Sequence, residues 1–503
     1  MTQNAKSKLI AFDIGAESGR AIVGHFDGNQ LSLEEMHRFS TLPVRVEENL
    51  YTDVLNIWGQ IQVGLQKSAV AYGTQLESIG VDTWGVDYAL LDGNDRLIAT
   101  PYHYRDRRTD GILERAFARV PREEIYFQTG NQFMQFNTLF QLFAGRLQEP
   151  EVLASARSLL MLPDLLHFWL CGEKTTEFTN ATTTQCFDQV HKTWAEQLLA
   201  RFEIPAGIFQ PISSPGSRLG RVHAWLGCPR LPVILPASHD TGSAVTAVPV
   251  QEQNFLYISS GTWSLVGVEL NEAVISDESL AANLTNEGNP CGRTCFLKVV
   301  PGMWLLQQCK HEWQKKGRTY SYTDLTALAM SAPAHGPVLD VTDPLFVAPG
   351  AMVPRVQQFC QESGQSVPQS NGEVARCILE SLAHLYRSLL EDFEKVLGKQ
   401  LGVIHIIGGG SKNTLLNQLT ADNCTRPVIA GPEEATAAGN LLVQAMGLGY
   451  LGSMQDIREV VRNSFELVTF APAHTPQWDD AYAHYHEVCR NVAVKRDLHT
   501  HSD

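Results

Sequence analysis

The stretch VILPASHDTGSAVTA, from Val233 to Ala247, places an ionisable pair at the junction of two apolar segments. Its first part is typical of a strand and its last part of a helix of small residues, with His239, Asp240 and Thr241 at the join. A carboxylate in apolar surroundings is costly unless it is paired or functional. Asp240 therefore either caps the helix that follows or takes part in chemistry, and the residue types leave both interpretations open.

A second carboxylate, Asp13, ends the apolar segment of FDIGAESGR and is followed by a tight turn. The backbone N–H groups of such a turn can bind phosphate oxygens, and Asp13 can hold a hydrated Mg²⁺ ion. A plain hairpin turn that requires Gly15 and Gly19 explains the same residues. A short glycine motif does not by itself decide between the two.

Two further turns of small residues offer accessible backbone. SSGTWS, from Ser259 to Ser264, supplies hydroxyl and amide groups that suit either a second phosphate site or simple turn chemistry. IIGGGSKN has three consecutive glycines, Gly408 to Gly410, between a predicted strand and a predicted helix. A flat base or a ribose can lie against backbone there because no Cβ intrudes, although a helix cap is an alternative.

The elements that must position these turns follow one plan twice. KLIAFDIGAESGRAIVGHF and NFLYISSGTWSLVGVEL both predict β-hairpins with glycine at the turn, about half a chain apart, which suggests duplicated halves. A helix is predicted from about Val54 to Ala71, and two strands are predicted around Thr83 to Gly85. Sheets with helices in each half predict an α/β protein with a cleft between two domains.

The second half continues with helical periodicity. PGMWLLQQCKHEWQKK and EVARCILESLAHLYRSLLEDFEKVL both predict helices, and GVIHIIGGGSKNTLLNQLTADNC predicts a strand, a glycine turn and a helix. The region from Pro333 to Pro368, rich in proline, glycine and serine, is predicted to be irregular.

Composition limits the class of protein. The 503 residues are enough for two or three domains, and 44% of them are hydrophobic. The formal net charge of −15 disfavours nucleic acid or an anionic membrane as the main partner, so an anionic ligand needs local amides, a helix N-terminus or a metal ion. The start, MTQNAKSK, has no apolar targeting segment, and no segment is apolar enough to span a membrane. The sequence therefore predicts a soluble, cytoplasmic protein.

The ten cysteines form no C-x-x-C pair, which argues against a zinc ribbon or a thioredoxin-type site. Cys291 and Cys295 are predicted to be buried thiols. Whether Cys360 and Cys377 pair is left open.

Taken in order along the chain, the motifs resemble those of one family. Asp-x-Gly-x-x-x-x-Arg, SSGTWS and GGGSKN resemble the nucleotide-binding elements of the actin, hexokinase and sugar-kinase superfamily. More narrowly, DTWGVDYALLD, YRDRRT, FNTLFQL, TNATTTQ, ASHDT, SSGTWSL, NEG and GGGSKNTLLNQL resemble the FGGY carbohydrate kinases, over nearly the whole chain. The resemblance implies an α/β fold of two duplicated actin/hexokinase-like (ribonuclease H-like) domains, residues 1–248 and 249–503, with an interdomain cleft.

The resemblance also implies an activity, in which ATP with Mg²⁺ phosphorylates the 1-hydroxyl of a small ketose, L-rhamnulose first and L-fuculose next. Asp240 is then the general base, and Asp13 holds the metal through water. The implied sugar-binding residues are Gly85, His239, Asp240, Thr241 and Val299. The implied nucleotide-binding residues are Ala16, Glu17, Ser18, Gly19, Arg20, Thr262, Gln307, Gly408, Gly409 and Gly410. Either a monomer or a homodimer is compatible with the sequence.

One position departs from the family pattern. Members that act on L-rhamnulose commonly carry asparagine where this chain has Val299, in LKVVPGMWLLQ. Valine can neither donate nor accept a hydrogen bond, and one lost sugar hydrogen bond is worth about 0.5–1.5 kcal/mol. The preferred ketose is therefore less well defined than the reaction, unless a neighbour such as Lys298 substitutes.

Two alternatives from other classes remain. A catalytically silent sugar sensor would keep the cleft, but the intact Asp13, Asp240 and Thr262 argue against it. A nucleotide-driven chaperone or filament protein would share the phosphate-binding turns, but would not explain DTWGVD and ASHDT.

Overall fold

A computed structural model describes residues 7–348 and 350–500, with side chains up to residue 492. Residues 1–6, in the segment predicted to lack a targeting signal, lie outside the described residues. Contacts between Cα atoms divide the chain into two units. The first comprises Met1–Pro249, Glu269–Leu297 and Glu434–Phe465, and the second Val250–Val268, Lys298–Glu433 and Glu466–Asp503. Two segments from the second half of the sequence thus belong to the first unit.

The first unit is built on a six-stranded mixed sheet. Its central strand, Ser7–Ile14, pairs antiparallel with Ser18–Phe26 and parallel with Leu76–Thr83. The strand order is Arg218–Arg221, Pro232–Ile234, Leu76–Thr83, Ser7–Ile14, Ser18–Phe26 and Leu31–Ser40. The central strand is buried along most of its length, as expected for a strand covered on both faces.

Helices of the first unit cover this sheet. The Val54–Tyr72 helix starts at Asp53, whose side chain accepts the Asn56 amide, and it buries Val54, Ile57, Ile61 and Leu65 at helical spacing. These side chains pack in one core with Phe12 and Val81 of the sheet. The other helices of the unit are Ile112–Arg119, Arg122–Thr129, Thr138–Gln148, Pro150–Ser155, Leu162–Cys171, Phe178–Ala181, Glu196–Arg201, Asp240–Thr246, Asp277–Ala281, Ala435–Gly447 and Met454–Ser464.

Thr285–Asn289 forms an antiparallel hairpin with the start of Arg293–Pro301, and these are the first two strands, in spatial order, of a seven-stranded sheet. The first unit also contains short two-stranded pairs. These pairs are Val44–Val46 with Asn49–Tyr51, Tyr88–Leu91 with Ser158–Met161, Thr176–Glu177 with Ile212–Ser213, and Phe187–Asp188 with Thr193–Trp194.

The second unit repeats the central plan of the first. Phe255–Ser260 pairs antiparallel with Trp263–Leu270 and parallel with Val403–Ile407, after which Val428–Ala430 and Val468–Phe470 extend the sheet. The predicted duplication of the hairpins is therefore confirmed. The helices of this unit are Trp304–Lys315, Tyr322–Ser331, Met352–Glu362, Asn371–Leu397, Thr414–Cys424 and Pro476–Thr500.

Two sequence predictions are wrong in part. The region from Pro333 to Pro368, predicted to be irregular, contains the Met352–Glu362 helix. Its Pro354 lies in the first turn, where backbone N–H groups have no partner within the helix, so the missing N–H of proline costs no hydrogen bond. The buried residues of the helix recur at helical spacing. Cys291, predicted to be buried, is exposed because it lies at the tip of a hairpin, whereas Cys295 is buried as predicted.

The open question about the other cysteines is answered, since Cys360 and Cys377 are both buried and both free thiols. In the described part of the chain, no helix combines the length and the apolarity that crossing a membrane requires.

Candidate active site

The first unit brings three carboxylates to one edge of its sheet. Asp13 and Asp82 lie opposite each other near the ends of two parallel strands, and the next residue, Thr83, forms a parallel bridge to His239. The Thr83 amide donates to the Ser238 carbonyl at 2.9 Å, which places Asp240 directly after this bridge. Because parallel strands end at a common edge, residues far apart in sequence meet there, as at ligand sites of other α/β sheets.

Asp240 is the first residue of the Asp240–Thr246 helix, and 30% of its side-chain surface is exposed. Its Oδ1 accepts the Thr241 amide at 2.6 Å and the Thr241 hydroxyl at 3.3 Å. The capping role that the sequence left open is not found: His239 is the N-cap, no side chain caps the helix, and Asp240 is its first helical residue. Among the described residues no donor reaches Oδ2, so this oxygen can accept a hydrogen bond from a ligand. Burial raises the pKa of Asp240, the charge of Asp13 adds to the increase, and His239 opposes it.

His239 lies between two carboxylates. Its Nδ1 is 3.3 Å from Glu287 Oε2, and its Nε2 is 3.5 Å from Asp240 Oδ1. Burial alone favours the neutral ring, but the nearby Glu287 carboxylate outweighs it, so the pKa of His239 is raised. Glu287 therefore favours the charged form of the imidazole beside Asp240.

A buried carboxylate holds the segment before Asp240 in place. Glu177 accepts the amide and the hydroxyl of Ser238, at 2.9 and 2.7 Å, and also the amide and hydroxyl of Thr179. The Thr179 hydroxyl in turn accepts the His239 amide at 3.0 Å. This network fixes the backbone on the N-terminal side of the candidate base, as required of a preorganised site.

Asp82 is fully buried behind Asp13. Its Oδ2 accepts from the Asn440 amide at 2.5 Å, and among the described residues Oδ1 has no hydrogen-bond partner. Burial raises the pKa of Asp82 well above its usual range, and the charges of Asp13 and Asp240 raise it further. Burial and the two neighbouring charges therefore favour the neutral form of Asp82.

Arg20 lies on the second strand, opposite Asp13 in register, and links two carboxylates. Its guanidinium donates to Asp13 Oδ2 at 2.6 Å and lies 2.5 Å from Glu434 Oε2. Burial opposes the charge, but the two carboxylates outweigh it, so the pKa of Arg20 is raised. The Arg20 guanidinium would therefore bind an incoming phosphate while still in contact with Asp13 and Glu434.

The hairpin turn between the two strands contains Ala16 and Glu17, and Ser18 and Gly19 begin the second strand. The Gly15 amide donates to the Ser18 carbonyl at 3.0 Å, and Glu17 is exposed. A Cβ at Gly19 would lie 2.3 Å from the ring of Phe39, so packing alone requires glycine there. Both interpretations of this motif, a turn and a phosphate site, are thus compatible with the same backbone.

Gly85 lies against the candidate base segment. A Cβ at this position would come within 3.1 Å of the Thr183 hydroxyl and 3.3 Å of the His239 ring. Any larger side chain would therefore have to displace Thr183 or His239, so packing favours glycine at this position.

In the second unit the two predicted turns meet. Ser259 pairs with Ile407, so Ser260 lies next to the glycine run that follows Ile407. A Cβ at Gly410 would lie 2.0 Å from Ser260 Oγ, and Gly408 has a φ of +79°, which favours glycine. At Gly409 a Cβ would meet nothing within 4 Å. The run is therefore packed on Ser260 at Gly410 and open at Gly409.

Thr262 forms the tip of the second hairpin and anchors the helix that contains Gln307. Its carbonyl accepts the Gly302 amide at 3.0 Å and the Trp304 amide at 3.3 Å, at the start of the Trp304–Lys315 helix. Gln307 Oε1 is buried without a hydrogen-bond partner among the described residues. Thr262, Gln307 and the glycine run are thus parts of one unit. Val299 lies half-buried in the Arg293–Pro301 strand, and its contact with a sugar stays a prediction.

Several residues of the site escaped the sequence reasoning. Asp82 and Glu287 lay within motifs that were noted, DTWGVD and NEG, but neither motif indicated a role. Glu177 and Glu434 gave no local signal, because their partners are distant in sequence. A search for acidic residues at predicted strand ends would have found Asp82.

Two family models match the chain, one in each half of the sequence. The N-terminal domain of the FGGY family of carbohydrate kinases matches residues 8–245, and the C-terminal domain matches residues 256–448. The rhamnulokinase of Oceanobacillus iheyensis is 41% identical over 470 residues, which are 92% of this chain and 98% of that protein. The rhamnulokinase of Bacteroides thetaiotaomicron is 40% identical over 489 residues, 96% of this chain and 100% of that protein.

Solved structures agree on the fold. The xylulose kinase of Lactobacillus acidophilus has a TM-score of 0.79 at 16% identity, and the alignment covers 98% of each chain. The glycerol kinase of Plasmodium falciparum, solved with ADP, has a TM-score of 0.75 at 15% identity, again over 98% of each chain. The molecule therefore has the two-domain α/β fold of sugar kinases.

The sequence relationship is more specific than the fold. Both family domains match, and curated relatives align over more than nine-tenths of the chain. This chain belongs to the FGGY family of carbohydrate kinases, and it is a carbohydrate kinase.

Proposed function

We propose that this kinase transfers the γ-phosphoryl group of ATP to the 1-hydroxyl of L-rhamnulose. The relatives that are named rhamnulokinase, at 40–41% identity over nearly full length, support the sugar. The observation that carries the proposed chemistry is Asp240, whose Oδ1 is held by Thr241 while Oδ2 is left for a ligand.

In the proposed reaction the sugar hydroxyl donates a hydrogen bond to Asp240 Oδ2. As the hydroxyl oxygen bonds to the γ-phosphorus, its proton passes to Asp240 and the bond from that phosphorus to the ADP oxygen breaks. A positioned base of this kind contributes about 10²–10⁴-fold. His239, beside Glu287, and Thr241 would orient the sugar, and Gly85 would allow it to approach the backbone closely.

The residues present are compatible with Mg²⁺ near Asp13. Asp13, Asp82 and Asp240 lie at one sheet edge, and the pKa of Asp82 is raised by burial first and by the charges of Asp13 and Asp240 in addition. Among the described residues no group of three histidine, cysteine or acidic side chains could hold a metal by itself. A Mg²⁺ ion usually keeps several waters and binds phosphate oxygens, so one carboxylate such as Asp13 is enough to position it. When bound, the ion neutralises phosphate charge during transfer.

We also propose that the residues predicted for the nucleotide bind ATP. Those proposed for its phosphates are Ala16, Glu17, Ser18, Gly19, Arg20 and Thr262. Gln307 and Gly408 to Gly410 would border the adenosine. The open surface at Gly409 suits a flat ring, and Gly409→Val should therefore raise the KM for ATP while leaving the KM for the sugar unchanged.

A panel of sugars tests the function directly. ADP release is measured with L-rhamnulose, L-fuculose, L-xylulose and glycerol at saturating ATP, and the product with the preferred sugar is identified by ³¹P NMR. The proposal predicts the highest kcat/KM with L-rhamnulose and phosphate on carbon 1. A preference for another sugar would refute the proposed substrate, and absence of turnover with every sugar would refute the proposed reaction.

A further inference from the structure

One surface of the first unit lacks the charges expected of a solvent-facing helix. The Val54–Tyr72 helix contains a single charged residue, Lys67, whose Nζ lies 3.1 Å from His37 Nδ1. At 100° per residue, the outward face of the helix carries Leu55, Gly59, Gln62, Gln66 and Val70. Outward faces of helices in globular proteins normally carry charged residues, so this face is unusual.

Large apolar side chains on this helix are fully accessible. Leu55 is 66% exposed and Val70 is 89% exposed. The neighbouring segment adds Trp225, which is 65% exposed, and its ring lies 6.4 Å from that of Trp58 on the helix. Farther along, Gly227, Cys228 and Pro229 border a shallow groove with Gln66, Ala69 and Val70. Leu55, Trp58, Val63, Val70 and Trp225 together define the helix–tryptophan surface.

Gly59 is a second, independent signal on the same helix. Glycine destabilises the interior of a helix relative to alanine, so an interior glycine usually has a packing reason. Here a Cβ at Gly59 would meet nothing within 4 Å, so no contact within this chain requires glycine. Close approach of another molecule to the helix backbone would supply the missing reason.

We propose that the helix–tryptophan surface binds the same surface of a second copy of this chain. Two copies with a net charge of −15 each repel one another wherever acidic side chains face each other. In a two-fold dimer the same surface faces itself, so a surface without acidic side chains avoids this repulsion. With Lys67 as the single charged residue of the helix, the surface is also unsuited to an anionic membrane or to nucleic acid.

The area of the helix–tryptophan surface indicates how tightly the proposed dimer would associate. A helix of nineteen residues is about 28 Å long, and two elements side by side are about 20 Å wide. Two such surfaces would bury roughly 1,100 Å² in total, which is at the low end for specific interfaces. The dimer is therefore reversible and depends on protein concentration.

Sedimentation velocity of the full chain, over roughly 1 to 100 µM, tests the proposal. The native chain should shift from monomer to dimer over this range. Leu55→Glu and Val70→Glu each place a carboxylate near its symmetry mate and should raise the dissociation constant at least about tenfold. Because both side chains are exposed, the variants should keep the native circular dichroism, melting temperature and kinase activity.

Met330→Glu is the matched control, since Met330 is also an exposed apolar residue on a helix, at 62% exposure, but lies in the second unit. It should leave the dissociation constant unchanged. A native chain that stays monomeric throughout overturns the proposal and leaves the surface to a different partner. A dimer that both glutamate variants leave intact, or that Met330→Glu weakens equally, overturns it as well.

Discussion

His239 Nδ1 lies 3.3 Å from Glu287 Oε2, and this contact joins a residue next to the candidate base to a strand far along the chain. The Glu287 carboxylate raises the pKa of His239, and the charged ring in turn opposes the increase in the pKa of Asp240. Glu287 is thus placed to act through His239 on the protonation of Asp240, without being a member of the same segment.

Glu287→Gln should move the acid limb of the kcat/KM profile to higher pH. Without the Glu287 charge, His239 loses its proton more easily, Asp240 loses a neighbouring positive charge, and the pKa of Asp240 rises further. The base is then protonated, and inactive, over a wider range of acidic pH. Glu287→Asp, which keeps the charge, should restore the native limb. Superimposable profiles for the native chain and Glu287→Gln would contradict this coupling.

Removal of divalent metal should abolish turnover, because the phosphate charge of ATP would otherwise meet the carboxylates of Asp13 and Asp240 directly. Asp13→Asn should raise the Mg²⁺ concentration for half-maximal activity by about tenfold or more. Asp82→Asn is the matched control: burial raises the pKa of Asp82 and so favours its neutral form, and this variant should need no more Mg²⁺ than the native chain. Full activity in excess chelator would refute the metal requirement.

Asp87 should make the protein less stable as the pH rises from about 4 to about 7. Burial raises its pKa to about 7, against hydrogen bonds from Trp84 and Thr52. The native state then keeps a proton that the unfolded chain releases near pH 4, so the free energy of unfolding falls with rising pH across that window, by up to roughly 4 kcal/mol.

Urea unfolding at pH 5 and pH 8 measures this effect. The free energy of unfolding of Asp87→Asn should decrease less between pH 5 and pH 8 than that of the native chain. The exposed Asp480→Asn should show the same decrease as the native chain. An Asp87→Asn variant with the full native decrease would show that Asp87 does not titrate in this window.

Local patterns predicted the elements better than the contacts between them. Glycine turns and apolar periodicity predicted both hairpins and the Val54–Tyr72 helix, because these depend on neighbouring residues. The pairing of Asp13 with Asp82, and of His239 with Glu287, depends on strand register and on packing of distant segments, which no local pattern encodes. Likewise, Gly19 was predicted for its turn, but its tightest constraint is the ring of Phe39 on the neighbouring strand.

Val299→Asn should sharpen the choice among ketoses. An amide that bonds one sugar hydroxyl favours the sugar that presents it, whereas an apolar wall discriminates weakly. The expected change in the ratio of kcat/KM between L-rhamnulose and L-fuculose or L-xylulose is roughly two- to tenfold, the size of one hydrogen bond. Val299→Leu, which adds no polar group, should leave the ratios unchanged. Equal ratios in the native chain and Val299→Asn would mean that specificity lies around Gly85, His239 and Thr241.

The central claim is that Asp240 removes the proton of the sugar hydroxyl, and single-turnover kinetics of Asp240→Asn test it most directly. The side-chain oxygen of the introduced asparagine can still accept the Thr241 amide, so the variant should fold normally and bind ATP with native affinity in calorimetry. Its rate of phosphoryl transfer should fall by about 10²–10⁴-fold, because an amide does not take up the proton. A rate within a few-fold of the native chain would contradict the account and leave Asp240 with its role at the start of the helix alone.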